Sequence, residues 1–195
     1  MESGAADVPA GEAGPTAVDE PDSDAPHRAG TSNGRFGRIL VTVVLIVAAD
    51  QATKSWAVAA LSDGPVRLIG DTVELHLSRN PGGAFSSFRG ATPVLATLAT
   101  VMSVWLWRTA RRVTDRWMLV GLVLVLSGAL GNLVDRVARS PGFMRGHVVD
   151  FVSVGWWPVF NLADSAISIG AVLLIVRGWF AGEDGGAEQS AGARG

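Results

Sequence analysis

Apolar residues in this chain gather into long runs, and polar residues cluster between them or in a few places inside them. Four runs have the length and composition of membrane-crossing helices. The first spans about Ile39 to Leu61 and is interrupted by Asp50-Gln51-Ala52-Thr53-Lys54. The second spans about Thr92 to Trp107, the third Trp117 to about Val137, and the fourth about Pro158 to Trp179. A helix rises about 1.5 Å per residue, so some twenty apolar residues cross a hydrocarbon core of about 30 Å. Thr92 is a natural N-cap for the second run, with Pro93 at the first helical position. Between the first two runs, Val73-Glu74-Leu75-His76-Leu77 alternates with period two, which predicts a short strand. Pro81-Gly82-Gly83 turns the chain after it. The predicted fold is a mostly α membrane protein. It has four transmembrane helices and a small β-sheet element in the first outer loop.

The ends differ in kind. Met1–Gly34 is rich in Ala, Gly, Pro, Asp and Glu and has almost nothing to bury, so it is expected to be a disordered extension. Acidic residues lead it and no basic stretch precedes an apolar one, unlike a signal peptide. Gly182–Gly195 reads the same way. The membrane domain is therefore expected over residues 35–181.

Composition narrows the chemistry. Of 195 residues, 48% are hydrophobic and 17% charged, which fits one domain built from the apolar runs. Cysteine is absent, which excludes a disulfide framework, a thiol nucleophile and a thiolate metal site. A net charge of −2 gives no basic surface for nucleic acid, so no nucleic-acid partner is expected. Arginine placement orients the runs. Arg108, Arg111, Arg112 and Arg116 crowd the loop between the second and third, Arg35 and Arg38 precede the first, and Arg177 closes the fourth. By the positive-inside rule these ends, and both termini, face the cytoplasm. Trp105, Trp107, Trp117 and Trp179 fall at the inner edge and Trp156 and Trp157 at the outer, as an aromatic belt does.

Ionisable and amide side chains inside apolar runs are costly, so they are candidates for function. Counting helix rise from the run edges places Asp50 roughly 13 Å, Asn132 roughly 7 Å and Asp164 roughly 9 Å below the outer edge. Asp150, in the loop expected just before the fourth run, can reach the same layer. Asn161 and Asp164 are three apart and share a helix face, as do Asn132, Asp135 and Arg136. Gly128 and Gly131 let another backbone come close. Two carboxylates brought together can share a proton and activate water.

Five segments occur in order: Asp50-Gln51-Ala52-Thr53-Lys54, Asn80-Pro81-Gly82-Gly83-Ala84-Phe85, Gly131-Asn132-Leu133-Val134-Asp135-Arg136, Val148-Val149-Asp150-Phe151 and Phe160-Asn161-Leu162-Ala163-Asp164. Over about residues 38 to 180 the chain resembles the lipoprotein signal peptidase (signal peptidase II) family of bacterial inner-membrane aspartic endopeptidases. The resemblance implies an enzyme that cuts signal peptides from diacylglyceryl-modified prolipoproteins. Cleavage falls just before the lipidated cysteine, within the outer half of the cytoplasmic membrane. It implies Asp150 and Asp164 as the catalytic pair, and Asp50, Asn80, Gly83, Asn132, Arg136 and Asn161 as substrate-binding or supporting residues. Gly83 stands where many members have alanine. The partners implied are prolipoprotein and membrane lipid, with no cofactor and no metal.

The residues also admit plainer readings. Asp50 and Lys54, acid first at i,i+4, could be a buried ion pair fastening the first run as readily as part of the site. Arg136 could be a snorkelling anchor and Asn80 a turn cap. Lys54 could serve a serine–lysine peptidase, the acids could hold a hard cation, or they could relay protons in a transporter.

Overall fold

The computed structural model describes residues 30–82 and 92–192, with side chains described over 34–82 and 92–180. Residues 1–29 of the expected extension, residues 83–91 of the first outer loop and residues 193–195 lie outside the described residues. Gly83, Ala84 and Phe85 are among them. The expected tail, 182–195, falls where no side chain is described.

The chain runs α1 (Gly30–Ala60), β1 (Val66–Ile69), β2 (Val73–Asn80), α2 (Thr92–Ala110), α3 (Arg116–Ala138), β3 (Val148–Val154), β4 (Trp157–Phe160) and α4 (Leu162–Gly192). Among the described residues, three helices contain stretches long and apolar enough to cross a membrane: Gly34–Ala60, Arg116–Ala138 and Leu162–Phe180. Their lipid-facing character shows in residues such as Leu45, Ile175 and Trp179, exposed on the helix surfaces. α2, of 19 residues, packs beside α3. The Asp50–Lys54 interruption does not break α1, because both charged side chains find partners within the bundle.

α3 is the central helix. Its Leu122, Val123 and Leu126 pack with Ile39 and Val43 of α1 and Leu106 and Ala110 of α2. Its other side meets α4 at glycine. A β-carbon on Gly128 would strike the Ala163 carbonyl oxygen. One on Gly131 would lie 2.6 Å from Asp50 Oδ2. The close approach expected at these two glycines is present, and it is what allows polar groups of α1, α3 and α4 to meet.

The strands form one antiparallel sheet in the order β1-β2-β3-β4, so the small sheet expected in the first outer loop also takes in β3 and β4 from the segment after α3. Two boundaries differ from the sequence reading. Asp150 lies on β3, not in a loop, and Ser78 is its partner on β2. The fourth helix begins at Leu162, because Trp157–Phe160 pairs with β3 (Val152 with Phe160, Val154 with Trp157). The turn between these strands uses Gly155 at φ 53°, a conformation glycine adopts without a Cβ clash. Phe151, from β3, packs on Ala57 and Leu61, so the sheet rests on the end of α1.

Two contacts gather the other helix ends together. Arg35 at the start of α1 reaches the Ala110 carbonyl at the end of α2 (3.5 Å). Arg177 on α4 pairs with Asp115, the N-cap of α3 (2.9 Å). The sheet thus sits at one end of the bundle and the arginine-rich ends at the other.

Candidate active site

The local sequence Phe160-Asn161-Leu162-Ala163-Asp164 folds as a reciprocal helix cap. Asn161 precedes the first residue of α4. Its Oδ1 accepts from the Asp164 backbone N–H (3.0 Å), and Asp164 Oδ2 accepts from the Asn161 backbone N–H (3.3 Å). This is a capping box built from Asn and Asp, which satisfies helix-start donors and holds the Asp164 carboxylate in one orientation.

The Asn161 side chain does more than cap. Its Nδ2 donates to Asp150 Oδ1 at 2.6 Å, and lies within reach of the Val149 carbonyl and Asn132 Oδ1. One amide therefore touches both carboxylate residues. Asn80, at the end of β2, donates from Nδ2 to Asp150 Oδ2 (3.2 Å), while its Oδ1 accepts from the Gly82 backbone N–H (3.1 Å). The turn-cap reading of Asn80 and its contact with the acid are both realised. Asn132 of α3 donates from Nδ2 to Asp164 Oδ1 at 2.8 Å.

Beneath these groups lies a second layer. Lys54 is fully buried, and its ammonium donates to Asp50 Oδ2 (2.8 Å), Asp135 Oδ2 (2.9 Å) and Asn132 Oδ1 (2.9 Å). All three ammonium hydrogens are committed, so Lys54 has no lone pair to serve as a base. It also occupies the place a cation would take between Asp50 and Asp135. Asp50 Oδ1 accepts from the Ala163 backbone N–H (3.0 Å), joining α1 to the start of α4. Asp135 accepts from the Val149 backbone N–H (3.1 Å) and pairs with Arg139 (2.6 Å). Gln51 bridges Asp50, the Gly131 carbonyl and Asp135.

Asp135 and Gln51 were not among the site residues expected, although both belong to the segments that carry the resemblance. The i,i+3 spacing of Asp135 from Asn132 was the available signal. Arg136 is buried, and its Nη1 has no hydrogen-bond partner among the described residues. A snorkelling anchor would reach polar surroundings instead. Asp150 is 3% exposed. Burial, followed by the charge of Asp164, pushes its carboxyl up to about 6, against hydrogen bonds from Asn80 and Asn161 that favour ionisation. Two acids that repel each other in this way can retain one proton between them near neutrality.

Comparison with known proteins identifies the family. A family model described as "Signal peptidase (SPase) II" matches residues 42–180. A lipoprotein signal peptidase of Rhodococcus jostii is 51% identical over 159 residues, covering 81% of this chain and 80% of that one. Its counterpart in Mycobacterium tuberculosis (strain H37Rv) is 47% identical over 162 residues, covering 83% and 77%. A solved structure described as a "Bacterial membrane enzyme structure by the in meso method at 2.3 A resolution" superposes with a TM-score of 0.64 at 28% identity. It covers 72% of this chain and 87% of that one. The chain therefore belongs to the signal peptidase II family, aspartic peptidases that remove signal peptides from prolipoproteins.

Proposed function

We propose that Asp150 and Asp164 are the catalytic pair with which this enzyme cleaves prolipoproteins. The observation that carries the assignment is Asn161, whose side-chain amide hydrogen-bonds Asp150 while its backbone N–H and side-chain oxygen hold Asp164. The two acids sit on different elements, β3 and the start of α4, and one residue ties them together.

In the proposed reaction one acid is ionised and the other protonated. The ionised acid takes a proton from water as the water oxygen attacks the scissile carbonyl. The protonated acid donates to the carbonyl oxygen. A neutral tetrahedral intermediate forms. It collapses as the carbon–nitrogen bond breaks: the amine takes the proton that the first acid received from water, and the second acid takes one back from a hydroxyl of the intermediate, which restores both acids. Asn132 and Asn80 hold the acids in place through their amide N–H groups. Lys54 accounts for the amide orientation of Asn132, because its ammonium engages Oδ1 and leaves Nδ2 for Asp164. Arg136 offers the free N–H of Nη1 to the substrate backbone. Gly83, in the loop that follows Asn80, is proposed to lie against the substrate.

The substrate is a prolipoprotein already carrying diacylglyceryl, cut before the lipidated cysteine. The four helices cross the cytoplasmic membrane with both termini inside, and the acids lie in the outer half of the bilayer, where signal helix and acyl chains also lie. The arginine-rich helix ends opposite the sheet support this orientation. Membrane lipid is the surrounding partner; no nucleic acid takes part.

The test is a gel-shift cleavage assay of a diacylglyceryl-modified prolipoprotein with purified protein in detergent. Asp150→Asn and Asp164→Asn each keep the side-chain shape but cannot exchange a proton. Both are expected to abolish cleavage at wild-type expression. Turnover above a few per cent of wild type in either would remove that residue from the pair.

A further inference from the structure

At the end of the bundle away from the acids, residues of α1 and α3 line a cavity of about 450 Å³. Its walls are mostly apolar: Ile39 and Ile46 of α1, with Thr42 between them in sequence, face Leu119, Val123 and Leu124 of α3. Its mouth is lined by Arg35, Arg38 and Arg116. None of these three guanidinium groups forms an ion pair among the described residues. Asp115, the residue before Arg116, is committed to Arg177 and to the Met118 backbone N–H. Arg35 Nε is buried without a hydrogen-bond partner. Positive-inside anchors spread around a bundle end suffice to orient a protein. Three that converge on one apolar slot, with a donor left over, are a different arrangement.

We propose that this cavity binds an anionic phospholipid of the leaflet away from the acids. The phosphate of its headgroup lies between Arg35, Arg38 and Arg116, and an acyl chain descends along Ile39, Ile46, Leu119 and Val123. Guanidinium groups match phosphate oxygens in charge and geometry, and the pairing is strong where water is partly excluded. Basic pockets between membrane helices on the cytoplasmic side are a recognised form of lipid headgroup site. The cavity volume falls within the range of small-molecule sites, roughly 300–1,000 Å³. The occupant is a lipid, not a free anion, because most of the wall offers hydrocarbon contact and only the mouth offers charge. Bound there, the lipid would fasten α1 to α3, the two helices that carry Lys54 and its partners. The membrane orientation proposed above assigns the leaflet; the site itself does not depend on it.

Thermal unfolding of the purified full-length protein in detergent tests this. Phosphatidylglycerol is expected to raise the midpoint saturably by ~4 °C. Phosphatidylcholine and inorganic phosphate are expected to leave it nearly unchanged. The combined Arg35→Gln, Arg38→Gln and Arg116→Gln variant should lose the response. So should Thr42→Trp, which fills the cavity and keeps every charge, and which decides the matter if the triple variant does not fold. Both should cleave prolipoprotein in lipid-free detergent at the wild-type rate, so a failure here is separable from a failure of the acid pair. An equal shift with phosphatidylcholine, an equal shift with inorganic phosphate, or a full response in either variant would overturn the proposal.

Discussion

Asn161 shows how much one side chain can organise. Its Oδ1 caps α4 by accepting from the Asp164 backbone N–H and its Nδ2 donates to Asp150, so removing the side chain breaks both contacts together. Asn161→Ala is expected to cost about 1 kcal/mol as a lost cap. It should cost far more in turnover, about 100-fold, because catalysis is sensitive to small misplacements of reacting groups. Comparing the thermal midpoint with kcat/KM separates the two effects. Asp150 gives a second test, in pH. Its carboxyl is raised from 3.8 to about 6 in the folded protein by burial first and by Asp164 second. Between those values the folded state holds a proton that the unfolded chain has released. The stabilisation from this group is thus fully present below 3.8 and is lost as pH rises through about 6. Asp150→Asn should flatten that part of the stability profile; an unchanged slope would show that another group causes it. At this scale the sequence was informative. Asp150, Asp164, Asn132 and Asn161 stood out because polar groups inside apolar runs need a reason. Asp135 shares a helix face with Asn132, but its engagement of Lys54 crosses between helices, and that partnership leaves no local pattern.

Helices were legible as elements because their apolar runs are long and their breaks are polar. The strands were less so. Trp157-Pro158-Val159-Phe160 is apolar and runs on into the fourth helix, and periodicity cannot divide a short strand from a helix that follows it directly. Likewise Val148–Val154 has too few polar positions to alternate, so its sequence carries no strand signal where β3 forms. What joins the elements is compact and polar. Lys54 ties α1 to α3 through Asp135 and Asn132, and Asp50 ties α1 to α4 through Ala163. Replacing Lys54 with methionine would leave Asp50 and Asp135 buried without their shared cation. The expected loss of stability is about 3–5 kcal/mol, the range for breaking a buried pair. Denaturation in detergent would measure it, and a change below about 1 kcal/mol would mean that the surrounding donors alone suffice. The α3–α4 contact is equally exacting. Gly128→Leu must push Ala163 away and with it the start of α4. It should therefore reduce cleavage even though Gly128 has no side chain to offer the site. Wild-type cleavage in a folded Gly128→Leu protein would show that the site tolerates a shift of that helix.

For the molecule as a whole, the distribution of charge along the bundle and the location of the acids are two sides of one arrangement. Arg35 beside Ala110, and Arg177 paired with Asp115, bring the α1 and α3 starts, the α2 end and the Arg177 turn of α4 to one pole. Arg108, Arg111 and Arg112 belong to that pole by chain position. The sheet, Asp150 and the start of α4 lie at the other. A substrate whose signal helix crosses the bilayer presents its cleavage site near the outer face only if the arginine pole faces inward. Reporter fusions after Arg112 and after Trp179 are therefore expected to report cytoplasm, and fusions between Ser62 and Gly82 the outside. Because α2 is the shortest helix and fell outside the three apolar enough to span by composition, the pair of fusions flanking it is the decisive one. Activity on the same side before and after α2 would mean that it lies along the bundle without crossing. The chain after it would then be displaced by one crossing, and the inward placement of the Asp115–Arg177 pole would fail with it.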